Sequence, residues 1–175
     1  MTTSTVIEST TPATMPSPET SCVVFTAGSS ITINVPAAFV FDIVRTCNRS
    51  DDWDSWIPDI TFNTNDAAHT GSYGLVRVKG EAEIQEENVP VEISDLQRCE
   101  HACIIAWKGK LLPSWAETFE EIIIVTPKGE DSCEVRTWES MDAEKFGTEV
   151  STKIVEGIDR WLNGLASYVT WQFQE

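Results

Sequence analysis

Basic residues are scarce in this chain: 12 Lys and Arg stand against 28 Asp and Glu, a formal charge of −16 at pH 7. A protein so short of positive charge has no basic stripe with which to displace counterions from phosphates, which argues against nucleic acid as a partner. The same deficit disfavours docking on an anionic membrane leaflet. No apolar run is long enough to span a bilayer, so membrane insertion is not expected. Residues 1–21 hold neither Lys nor Arg and no apolar h-region, so no secretory or transit signal is read there and a cytoplasmic location is expected. In that compartment the five cysteines, at positions 22, 47, 99, 103 and 133, are expected as free thiols. Asn48-Arg49-Ser50 fits a glycosylation acceptor, which carries no meaning without secretion.

Familiar catalytic motifs are missing as well. The chain has no Gly-x-Gly-x-x-Gly, no Walker loop and no Gly-x-Ser-x-Gly elbow, which excludes the common phosphate cradles and the hydrolase nucleophile turn. There are only two histidines. His69 lies in a polar loop with no acid or nucleophile nearby in sequence. His101 sits between Cys99 and Cys103, and thiolate with imidazole is zinc chemistry. No second Cys/His pair follows at a suitable spacing, so a turn residue beside two buried thiols is the better account. Neither a metal nor a cofactor is expected.

What the chain does have is enough length for one core. At 175 residues it buries roughly 70% of the surface its unfolded form exposes. Seven Trp and seven Phe against two Tyr weight the aromatic set toward large apolar rings. The Ser/Thr/Pro-rich stretch 1–21 cannot offset its ordering entropy and reads as a disordered tail; 22–175 reads as a single domain. Alternation of Ile31, Ile33 and Val35 with polar residues gives a strand over 31–35. Pro36 then opens a helix with Phe39, Ile43 and Val44 on one face, and a second helical turn over 48–55 carries Trp53 and Trp56. Strands follow over 60–63, 75–79, 89–96, 102–108, 115–125 and 132–141, separated by Gly- and Pro-rich turn signals. With no helical pattern between them, they form an antiparallel meander. The acidic run 81–87 reads as a solvated hairpin tip, with a contact surface for a basic partner as the alternative.

The chain closes on an amphipathic helix of about seven turns, whose apolar stripe includes Val150, Ile154, Ile158, Trp161, Leu162, Leu165 and Val169. Gly157 and Gly164, seven apart, share a side of it. They serve either close packing or room for a ligand. A curved sheet wrapped round such a helix leaves a natural apolar space between them.

These residues resemble a known family. The strand 31–35, then Pro36-Ala37-Ala38-Phe39-Val40-Phe41, then Asp51, Trp53 and Trp56-Ile57-Pro58 are similar to the opening of the SRPBCC (START-like) superfamily. Its members include StAR-related lipid-transfer domains, birch-pollen allergen proteins and polyketide cyclase/dehydrase-like proteins. Gly71 before Val76 and Val78, Trp107-Lys108-Gly109, Phe119, Glu139 and the final helix continue the resemblance, which covers about 22–173 and is strongest to the polyketide cyclase/dehydrase-like branch. It implies an α+β helix-grip fold: a curved antiparallel sheet around a long C-terminal helix, with two short helices after the first strand. It also implies an apolar cavity that takes a hydrophobic small molecule. The reaction implied is cyclisation, dehydration or isomerisation of a polyketide- or terpenoid-like intermediate. A non-catalytic lipid or quinone carrier and a co-chaperone-like interaction module are the rivals. Trp115 and Glu117 depart from the family pattern, in which a small residue and a His precede the Phe.

Strand alternation puts Trp115, Glu117 and Phe119 on one face, and Val135, Thr137, Glu139 and Met141 on one face of the next strand. If both look inward, Glu117 and Glu139 hang into an apolar space that raises a carboxylate's pKa, as a general acid or base near neutral pH requires. The ordinary alternative is that they face solvent or pair with Arg136 or Lys108. The candidate lining is Trp56, Val76, Val78, Val91, Ile105, Trp107, Trp115 and Phe119 from the sheet, with Ile154, Gly157, Ile158 and Trp161 from the helix.

Overall fold

Apolar residues at every second position make strands that bury one face, and a computed structural model shows where those faces meet. The structure describes residues 5–6, 25–46, 59–62, 68–78, 87–109, 118–142 and 148–175. In chain order the elements are β1 (Thr5–Val6), β2 (Phe25–Ile33), α1 (Ala37–Thr46), β3 (Asp59–Phe62), β4 (Tyr73–Val78), β5 (Glu87–Arg98), β6 (Cys103–Gly109), β7 (Thr118–Pro127), β8 (Cys133–Asp142) and α2 (Thr148–Gln174). The strands pair antiparallel in one sheet, ordered β1-β2-β8-β7-β6-β5-β4-β3. From β3 to β8 this is a meander in which every strand pairs with the next, and β2 closes onto β8. β1 adds two residue pairs at the edge beside β2, using a piece of the segment read as a disordered tail.

One face of the sheet supplies the core. Ile31 and Ile33 of β2, Ile105 and Trp107 of β6, Ile123 and Val125 of β7, and Val135 of β8 lie in one apolar cluster with both helices. Each such side chain contributes roughly 1.5–3 kcal/mol when fully buried. Trp107 is among the largest of them, at 2% exposure. A bulge between Ile93 and Asp95 shifts the register of β5 against β6, so that Ser94 is the extra residue. The same point of β5 is gripped from the other side, where Gly71 N–H donates to the Ile93 carbonyl at 2.8 Å. Gly71 has φ of 86°, which a residue with a Cβ adopts only under strain.

β2 stops at Ile33, two residues short of the strand read to Val35, and helix α1 starts just after Pro36, whose carbonyl accepts from Phe39 N–H at 3.1 Å and Val40 N–H at 3.2 Å. Its buried stripe is Ala37, Val40, Phe41 and Val44, at helical spacing. Phe39 and Ile43, expected on that stripe, are only half-buried, and Phe39 packs edge-on against Phe173 of α2 with ring centroids 5.3 Å apart. A bidentate pair from Arg98 to Asp42, at 3.0 and 3.1 Å, ties α1 to the end of β5. The second helical turn read over 48–55 lies outside the described residues, as does most of the acidic run 81–87. Cys99, read as buried, is exposed at the β5–β6 turn; Cys103 and Cys133 are buried and free, and burial pushes the Cys133 thiol up to about 11.

The opposite face is not purely solvent-facing either. Ala106 and Ile122 are buried there outside the main cluster. Trp138 lies over Gly28, where a Cβ would overlap its Cδ1 atom and come within 2.8 Å of the Thr137 carbonyl oxygen. Glu120 is buried on this face, and Ser94 Oγ of the bulge donates to it at 3.2 Å. Burial raises the Glu120 pKa, against the opposing effects of the Ser94 hydrogen bond and Lys108. Ionising such a group costs stability as pH climbs above the ordinary glutamate value of about 4.3. Glu120→Gln keeps an acceptor for Ser94, so it is expected to melt higher than wild type at pH 7 and to lose that advantage by about pH 4. Thermal melts across that range check this; an advantage unchanged by pH contradicts it.

Candidate functional site

The inner layer between the sheet and α2 holds polar side chains that its apolar surroundings do not explain. On β7 the inward positions are Phe119, Glu121, Ile123 and Val125, and on β8 they are Val135, Thr137 and Glu139; all are buried. Antiparallel register sets Glu121 directly opposite Glu139, and Trp107 of β6 directly opposite Glu121 on the other side. Directly opposed residues have Cβ atoms about 5 Å apart. Two carboxylates therefore share one patch of the interior, at 4% and 9% exposure.

Hydroxyls complete the patch. Thr137 Oγ1 donates to Glu121 Oε1 at 3.2 Å. Ser29 of β2 pairs in register with Thr137, and its Oγ donates to Asp159 Oδ1 of α2 at 2.6 Å. The last bond spans 130 residues of sequence and fastens the helix onto the sheet. Glu121, Glu139 and Asp159 each make further interactions, so none is an orphaned charge. Their significance lies in position: carboxylates placed in a low-dielectric layer can hold a proton or accept from a donor with much greater effect than at the surface.

Helix α2 presents Ile154, Gly157, Ile158, Trp161, Leu162 and Leu165 to this layer, all buried. It packs chiefly along β2, while α1 sits against β6 and β7. At about 1.5 Å per residue its 27 residues run about 40 Å. No helix among the described residues is long and apolar enough to cross a membrane.

No family model matches the chain, and no curated protein matches it. Solved structures do. A hypothetical protein from Helicobacter pylori matches with a TM-score of 0.65 at 16% identity, over 81% of this chain and 86% of its own. Ara h 8.0201 matches with a TM-score of 0.61 at 12% identity, over 83% of this chain and 97% of its own. The chain has the helix-grip fold. At these identities the likeness concerns architecture alone.

Within the grip, Val76, Val91, Ile105, Trp107 and Phe119 are buried on the sheet's inner face, opposite the stripe of α2 that carries Ile154, Gly157, Ile158 and Trp161. Val78 belongs to β4, but its side chain is outside the described residues, and so are Trp56, Trp115 and Glu117. Glu139 lies in the inner layer. The carboxylate beside it is Glu121, two residues beyond Phe119, which the sequence reading did not single out. Alternation from Phe119 was the signal for it: of the adjacent pair Glu120-Glu121, only the second falls in phase with Phe119 and Ile123. Ser29 and Asp159 carried no comparable signal, because nothing in either segment announces the other. Among the described residues no group of three His, Cys, Asp or Glu side chains lies together as a metal site.

The Ser29–Asp159 bond yields a test. A hydrogen bond to a charged acceptor is worth about 1.5–3 kcal/mol, and less where the acceptor keeps some water, as half-buried Asp159 does. Ser29→Ala is expected to lower Tm by roughly 3–6 °C for a chain of this size. Thermal denaturation checks it, and a melt identical to wild type contradicts an anchoring role.

Proposed function

We propose that the grip binds a hydrophobic small molecule between the sheet and α2, with its polar end at the Glu121–Glu139–Thr137 patch. The observation that supports this reading most is the opposed carboxylate pair inside an otherwise apolar layer. Burying two carboxylates costs stability that leucines at those positions would not. A bound molecule with a hydrogen-bond donor gives that cost a use. We further propose that the ligand is a polyketide- or terpenoid-like intermediate, held in one folded conformer so that proximity lowers the barrier to cyclisation, dehydration or isomerisation. Glu139, with Glu121 opposite it, then moves the proton; Glu117, the other carboxylate singled out from the sequence, lies outside the described residues.

The variants separate binding from chemistry. Ile158→Trp places a bulky ring in the inner layer and is expected to weaken binding of the neutral probe N-phenyl-1-naphthylamine by about tenfold or more, while the thermal melt stays cooperative. Equal binding by that variant places the ligand elsewhere. Glu139→Gln and Glu121→Gln keep volume and affinity, and are expected to lower turnover of a polyketide-like substrate by roughly 10²-fold. Full activity in both Gln variants leaves the grip as a container, which is the carrier reading.

A further inference from the structure

Glu121 and Glu139 face each other across β7 and β8, both buried, but their neighbours differ. Thr137, buried on the same face of β8, donates from Oγ1 to Glu121 Oε1 at 3.2 Å. Thr137 pairs in register with Ile123, so its hydroxyl reaches Glu121 along the diagonal between the strands. In the cross-strand row, Glu139 has Glu121 on one side and Ala27 on the other, and Ala27 brings no side-chain donor. Two general effects bear on such a pair. Carboxylates that share one buried patch do not both ionise in the ordinary range, because the first charge opposes the second. A hydrogen bond donated to a carboxylate favours its charged form.

The other groups around the pair act in the same direction. β6 brings Trp107 opposite Glu121, with no charge at that level. β2 brings Ala27 and Ser29, and Ser29 holds Asp159 of α2, a third carboxylate whose charge further opposes ionising both glutamates. Glu156 and Arg160 of α2 are exposed, and the side chains of Glu149 and Lys153 are outside the described residues. Asp42 and Arg45 of α1 are half-buried, with Asp42 bound by Arg98. The Cys103 and Cys133 thiols of the inner cluster are pushed up by burial and stay neutral at pH 7. Glu120 and Lys108 lie on the opposite face of the sheet.

We propose that Glu121 and Glu139 hold one proton between them at pH 7, that Glu139 carries it, and that Thr137 is the positioning residue that keeps Glu121 ionised. The assignment deepens the interior-site reading and rests on it for its use. Glu121 is then the base and Glu139 the acid: Glu121 takes a proton from one atom of the ligand while Glu139 gives its own to another, and the proton count of the pair is unchanged.

Carbon-13 spectra of the full chain, labelled at the glutamate carboxyls and titrated without ligand from about pH 4 to pH 9, test this. Loss of a resonance in Glu121→Gln, Glu139→Gln or Glu120→Gln assigns each carboxyl. At pH 7 Glu121 is expected ionised and Glu139 protonated. Thr137→Val keeps the shape and removes the hydroxyl. It is expected to move the ionisation of Glu121 to higher pH by about one unit or more, a tenfold change in proton affinity, and Thr137→Ser to restore it. A threonine that only packs would change the melt and leave that titration in place. The proposal is overturned if both carboxyls are ionised at pH 7, if Glu121 holds the proton, or if Thr137→Val leaves its titration unmoved or lowers it. Should Thr137→Val fail to fold, the wild-type spectrum and Thr137→Ser still decide: a proton on Glu121, or on neither, overturns it. Because no ligand is present, the outcome is separate from probe binding; wild type that shows this proton pattern but does not bind N-phenyl-1-naphthylamine loses the interior-ligand reading and keeps the proton assignment.

Discussion

A straight helix cannot follow a curved sheet, and α2 meets this constraint by lying along β2 near one edge instead of crossing the whole inner face. The seat is fixed by apolar packing of Ile154, Ile158, Leu162 and Leu165, together with one polar fastening, Ser29 to Asp159. Much else follows from that placement. With α2 held toward β2, the inner face toward β6 and β7 is left for α1, which Arg98 clamps through Asp42. The bulge at Ser94, which bends and twists its strand locally, falls at the same level as the Gly71 turn. The grip is thus a division of one sheet face between two helices.

The inner layer is where the fold departs from maximal stability. Glu121 and Glu139 stand in the cross-strand row that continues to Trp107, and Thr137 in the row that continues to Ile123 and Ile105. Replacing buried ionic groups by apolar side chains of similar volume is often neutral or stabilising, so packing alone does not call for carboxylates here. Glu120 makes a useful contrast. One residue away on the same strand, it faces the opposite side and answers to Ser94 and Lys108, with a pKa raised by burial. Adjacent glutamates on one strand therefore live in different chemistries, separated by the pleat alone.

The meander and the final helix were legible because they follow local periodicities: period two through Ile31–Ile33 and the central strands, helical spacing from Ile154 to Val169. What escaped depends on partners far away in sequence. The residues of β2 before Ile31, which lie outside the strand read over 31–35, are strand because β8 pairs with them along their length. The buried stripe of α1 was read through Phe39, whose ring instead answers to Phe173. The bulge at Ser94 exists only against β6. At the site, Glu139 was accessible to alternation, as was Glu121 once β7 is phased on Phe119; the Ser29–Asp159 bond was accessible to no local rule.

Isoleucines report on both faces of the sheet, and they provide the most direct measurement. Ile93, Ile105 and Ile123 belong to the inner cluster with Ile154 and Ile158 of α2, whereas Ile104, Ile122 and Ile124 lie on the opposite face. Methyl-labelled protein titrated with N-phenyl-1-naphthylamine should show saturable shifts concentrated at the inner set. Shifts confined to Ile104, Ile122 and Ile124, or no saturable shift at any isoleucine, would contradict a ligand held between the sheet and α2.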